Sequence, residues 1–105
     1  MSPVDETILT IVQSHIGKRN ALPVRDIMRQ IGVTGDSYPV RSAIKRLVER
    51  HGFPIGAHPD HGVFMISTES ELQMVTQNLE ARSRSILGRV GKLREAYDLA
   101  VEAAK

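Results

Sequence analysis

The stretch that decides the fold runs from Val24 to Ile66: VRDIMRQIGVTGDSYPVRSAIKRLVERHGFPIGAHPDHGVFMI. Its first eight residues place Val24, Ile27, Met28 and Ile31 on one helical face, and Gly32 stops them. A tight connection, Val33–Ser37, leads to a second periodic run from Tyr38 to about Arg50. Asp36 or Ser37 is available as its cap, and Pro39 sits in its first turn. Val40, Ile44, Leu47 and Val48 fall at i, i+4, i+7 and i+8, which defines an inward face. After His51-Gly52 the period changes. Phe53–Ala57 and Val63–Ile66 read as two short strands, separated by the turn-forming His58-Pro59-Asp60-His61-Gly62.

Upstream, Ser2 caps a first helix with Pro3 at its opening. Ile8, Leu9, Val12 and Ile16 recur at helical spacing until Gly17. Ala21-Leu22-Pro23 reads as one short extended edge strand. Downstream, Thr68-Glu69-Ser70-Glu71 is a capping box, and one helix can run from Glu69 nearly to the end, roughly 50 Å at 1.5 Å per residue. Its apolar positions step mostly by three and four through Leu72, Val75, Leu79, Ile86, Val90, Leu93, Tyr97, Ala100 and Ala104. Arg82 interrupts the stripe, and Gly88 and Gly91 mark places where the helix either continues or breaks and folds back.

The expected fold class is therefore mainly α with a small β-hairpin. Residues 1–66 form a helix-helix-helix-hairpin domain, and residues 67–105 form a C-terminal helix. From Leu22 to Ile66 the chain resembles the winged helix-turn-helix family in its small bacterial and phage form, similar to the N-terminal domain of biotin-repressor-type regulators. The residues that carry the resemblance are Leu22–Ile27, Ile31-Gly32-Val33, Val40-Arg41 with Ile44 and Leu47, His51–Ile55 and Gly62-Val63-Phe64. The resemblance implies double-stranded DNA as partner, read by the third helix. Its use would be in transcription regulation or in phage-type replication or recombination.

The residues themselves bear on that expectation. The 105-residue chain carries a net charge of +2, and residues 1–50 hold eight Lys or Arg against five Asp or Glu, so the basic excess lies in the N-terminal half. With the apolar set of the third helix turned inward, Tyr38, Ser42, Lys45, Arg46 and Glu49 face outward and Arg41 lies on the flank. A helix fits the DNA major groove, where Arg and Lys donate to guanine. Lys18, Arg19, Arg25 and Arg29 are candidate phosphate contacts, which give affinity without sequence information. The wing departs from the family pattern: it offers His58, Asp60 and His61 rather than Lys or Arg, so His58 and His61 are assigned at most a minor DNA-contacting role.

Other functions find less support. There is no cysteine, and the His-rich turn lacks the ligand set of a structural zinc site. No nucleophile elbow, phosphate loop or metalloprotease motif is present, so no enzyme activity and no cofactor are read. No effector-binding segment is evident. The N-terminus lacks a leader pattern and no run is apolar enough to span a membrane, so the expectation is a cytoplasmic protein. The C-terminal stripe, with Leu79, Ile86, Val90, Leu93 and Tyr97, is assigned to homodimerisation, which would let half-sites one helical turn apart be read together. The rival reading is a winged-helix module for protein–protein docking in a larger assembly.

Overall fold

In the computed structural model, which describes all of residues 1–105, the chain is mainly helical with one small antiparallel hairpin and a long C-terminal helix. The elements are α1 (Pro3–Gln13), a 3-10 turn (Lys18–Asn20), α2 (Val24–Ile31), α3 (Tyr38–Glu49), β1 (Ile55–His58), β2 (Gly62–Met65) and α4 (Glu69–Ala103). Residues Met1–Val75 form one compact unit and Thr76–Lys105 a second. The first unit thus extends past the expected boundary at residue 66 and takes in the opening turns of α4.

Helix ends follow local chemistry. Ser2 caps α1 by accepting from the Asp5 amide at 3.1 Å. α1 ends at Gln13, with Ser14 at its C-cap, rather than at Gly17. Ile16 therefore leaves the expected apolar face; it is 55% exposed and forms a parallel bridge with Met65 instead. α2 ends in a left-handed Gly32, where the Val33 amide reaches back to the Met28 carbonyl at 2.9 Å. At the start of α3, Asp36 supplies the hydrogen bond, its Oδ1 accepting from the Tyr38 amide at 2.9 Å.

The core of the first unit is aliphatic: Ile8 and Val12 of α1, Leu22, Ile27 of α2, Val40, Ala43, Ile44 and Leu47 of α3, and Ile55 and Val63 of the hairpin. Val48, expected among this set, is 39% exposed and lies at the rim. It falls about 40° beyond Ile44 around the α3 axis, outside the arc that α1 and α2 can cover.

The hairpin pairs Ile55 with Met65, Gly56 with Phe64, Ala57 with Val63 and His58 with Gly62. The expected strand at 21–23 reduces to one antiparallel bridge, Leu22 with Val63, closed by two hydrogen bonds of 2.9 and 2.8 Å. β2 consequently has partners on both edges: β1 on one, Leu22 and Ile16 on the other. Alternation sends Val63 into the helical core and Phe64 to the opposite face. There Phe64, Ile66 and Val75 crowd Gly56, where an added Cβ would lie 2.9 Å from the Val75 side chain. The hairpin is thus a layer between the three-helix core and the first turns of α4.

The start of α4 is fastened by Glu71. The Glu71 amide donates to Thr68 Oγ1 at 3.1 Å, which is one half of a capping box. Its carboxylate accepts from the Ser67 amide at 2.9 Å and from the distant Lys18 amide at 2.8 Å. These backbone donors hold the Glu71 carboxyl below its ordinary range.

In the second unit α4 continues without a break through Gly88 and Gly91. An added Cβ at either glycine would meet nothing within 4 Å. No helix is long and apolar enough to cross a membrane.

Candidate nucleic-acid interface

α3 carries most of the candidate side chains, and its packing divides them into two groups. Tyr38 is 68% exposed, and Arg41 and Lys45 are exposed on the same arc at spacings of three and four residues. Arg41 is steadied at its base, its Nε donating to Ser37 Oγ at 2.9 Å. Lys45 lies 4.0 Å from Glu49 in a solvent-exposed pair, a geometry that constrains the ammonium little.

Arg46 and Ser42 belong to the other group. The Arg46 guanidinium turns toward α1, where Nε donates to Asp5 Oδ2 at 3.0 Å and Nη2 to Asp5 Oδ1 at 2.8 Å. Its remaining nitrogen, Nη1, donates to Ser42 Oγ at 3.0 Å. Asp5 is 2% exposed, so this fork-on-fork pair closes the edge of the α1–α3 contact. The hydrogen bond from Arg46 holds the Asp5 carboxyl below its usual range, against the opposing effect of burial, and Ser2 assists. The same bond raises the Arg46 pKa. The α1–α3 contact therefore includes a polar pair as well as Val40, Ile44 and Leu47.

Asp5 was missed as a site residue, although the sequence carried a signal for it. Asp5, Ile8 and Val12 fall at i, i+3 and i+7, so the carboxylate sits on the buried stripe of α1. A charge in that position calls for a cation. Nothing in the spacing says which cation, because Arg46 lies forty-one residues away.

Arg25 and Arg29 are exposed on α2, and Arg29 leans on Asp26 at 3.5 Å. Lys18 and Arg19 are exposed in the 3-10 turn, the Lys18 amide being the one that Glu71 holds. At the hairpin tip the His58 and His61 rings sit 4.8 Å apart between centroids, tilted by 38°. His58 Nδ1 accepts from the Asp60 amide at 3.1 Å. No group of three or more His, Asp or Glu side chains is placed to hold a metal ion. In the second unit Leu79, Ile86, Val90, Leu93 and Tyr97 are each at least half exposed.

No family model, curated protein or solved structure matches the chain.

Proposed function

We propose that the protein binds double-stranded DNA, with the exposed arc of α3 entering the major groove. One observation carries this reading: Tyr38, Arg41 and Lys45 share one exposed arc of the helix that leads into the hairpin, and none of the three is engaged in the core. Arg41 and Lys45 present donors suited to guanine N7 and O6 or to phosphate, and Tyr38 can bond to phosphate or sugar. Arg25, Arg29, Lys18 and Arg19 add cations on the neighbouring α2 and turn. Arg46 and Ser42 support the reader by bracing α3 against α1, and are not themselves readers. The activity proposed is that of a regulator of transcription, or an accessory factor in replication or recombination, in the manner of the winged helix-turn-helix proteins that residues 22–66 resemble.

The test is a fluorescence-anisotropy titration of a mixed-sequence duplex between 50 and 200 mM salt. Non-specific binding of about 10⁻⁴–10⁻⁶ M is expected, with log K falling linearly against log salt. Combined Arg41→Ala and Lys45→Ala should weaken binding at least about tenfold and flatten the salt slope by about two. Absence of duplex binding at low salt, or an unchanged affinity in the double variant, overturns the proposal. A second reading, docking onto another protein, draws on the exposure of Tyr38 and Val48 along α3 and on Asp60 at the hairpin tip, which repels phosphate.

A further inference from the structure

Beyond residue 75 the polypeptide is a helix with every large apolar side chain in solvent, and their order is regular. From Leu79 the steps through Ser83, Ile86, Val90, Leu93 and Tyr97 alternate four and three. That is an unbroken seven-residue repeat, in which Ser83 rather than Arg82 holds the seam position. Such a repeat makes the seam of a two-stranded coiled coil. An open hollow lined by Leu79, Arg82, Ser83 and Ile86, with Leu87 at its side, supplies the four-residue hole into which a facing side chain inserts.

Between residues 82 and 102 charge is polarised, with Glu80 before this stretch and Lys105 after it. Arg82, Arg84, Arg89, Lys92 and Arg94 precede Glu95, Asp98 and Glu102. In a parallel, in-register pair Arg89 of each copy faces Arg94 of the other, on both sides of the seam. Reversing one helix removes that repulsion and brings Arg82 and Arg89 of one copy beside Glu102 and Glu95 of the other. Glu95 and Glu102 are held only by exposed pairs to Lys92 at 3.5 Å and Lys105 at 3.7 Å, which yield readily to a new partner.

We infer that residues 76–105 pair with a second copy of this chain as an antiparallel coiled coil, with Ile86 opposite Tyr97 and Val90 opposite Leu93. In this register every seam position from Leu79 to Ala104 meets a seam position of the other copy. Arg82 and Arg89 flank Ala103 and Ala96, beside Glu102 and Glu95, and no like charges meet across the flanks. The two Thr76 residues then lie about 46 Å apart along the pair. The inference rests on the second unit and is independent of what α3 binds.

The natural chain has no cysteine, so crosslinking reports direction cleanly. Light scattering of the intact chain at tens of micromolar should give twice the 11.6 kDa chain mass. Under oxidation the Ser83→Cys, Ala100→Cys double variant should form a covalent dimer, because Ser83 faces Ala100 of the other copy, while Ser83→Cys alone should not. A monomeric mass, a trimeric or higher mass, or efficient crosslinking by Ser83→Cys alone overturns the inference. Duplex affinity is measured separately, so failure here leaves the α3 assignment standing.

Discussion

Asp5 and Arg46 are joined by two parallel hydrogen bonds of 3.0 and 2.8 Å, across forty-one residues of sequence and between two helices. The pair makes the α1–α3 contact directional, since only one rotation of α3 brings the guanidinium over the carboxylate. That rotation also sets which side chains remain on the exposed arc. Asp5→Asn should lower the melting temperature by at least about 5 °C at neutral pH, because one charge is left facing a group that cannot balance it.

The pH dependence of that loss has a definite sign. Asp5 titrates below its ordinary value when folded, so its stabilisation is complete above the unfolded value of about 3.9 and disappears as pH falls through the folded one. The difference in melting temperature between wild type and Asp5→Asn should be widest near pH 7 and should narrow below about pH 4. Glu71 shifts in the same direction and is unchanged in both proteins, so it cancels in the comparison. A gap that stays constant from pH 7 to pH 3 would show that the ion pair contributes nothing.

Leu47 and Val48 are neighbours with opposite fates. Leu47 is fully buried in the helical core, whereas Val48 lies at its rim. Leu47→Ala should cost about 2–5 kcal/mol, and Val48→Ala only about 0.5 kcal/mol, as at surface sites. Urea denaturation of the two variants measures both, and equal costs would mean that α3 is rotated from the orientation described.

Gly62 adopts φ 96°, and a Cβ there would lie 2.5 Å from the Leu22 carbonyl oxygen. Gly62→Ala therefore meets two obstacles, a backbone conformation costly to L residues and a clash with main chain that cannot rotate away. A loss of about 1–3 kcal/mol is expected from the conformation alone. Amide exchange at Leu22 and Val63, which hydrogen-bond each other, should accelerate more than exchange in α1.

Gly88 and Gly91 have open space around them, and in the antiparallel register they lie on the outer side of the helix. Replacing both by Ala should raise helicity by circular dichroism and add about 1 kcal/mol of helix stability at each position. A lower helicity would instead mean that the glycines serve a close backbone approach.

Much of the architecture was legible in the sequence because it rests on short-range patterns. The three N-terminal helices announce themselves by apolar spacing with Gly32 and Gly52 as stops, and the hairpin by its turn residues. The errors came where a distant contact overrides local period. Ile16 has helical spacing to Val12, yet α1 ends earlier because the chain turns to meet Met65. Arg46 reads as an outward cation on any helical projection, since its partner Asp5 is invisible at a distance of forty-one residues. The Glu71 side chain, readable as a local cap and acting as one toward Ser67, also reaches the Lys18 amide fifty-three residues away. Ser83 hid the seven-residue repeat because a polar side chain breaks an apolar stripe when the stripe is judged by hydrophobicity rather than by spacing.

The two-sided pairing of β2 sets an order of assembly. Its outer partners, Ile16 and Leu22, are made some forty to fifty residues before Met65 and Val63, so during synthesis they must wait for β2. These are among the contacts of longest sequence separation in the first unit, and such contacts carry the greatest loop-closure cost. A chain released before Gly62 therefore lacks the strand that joins Ile16, Leu22 and β1. A four-residue segment, made well after the surface of α3, thus joins three stretches of chain that precede it.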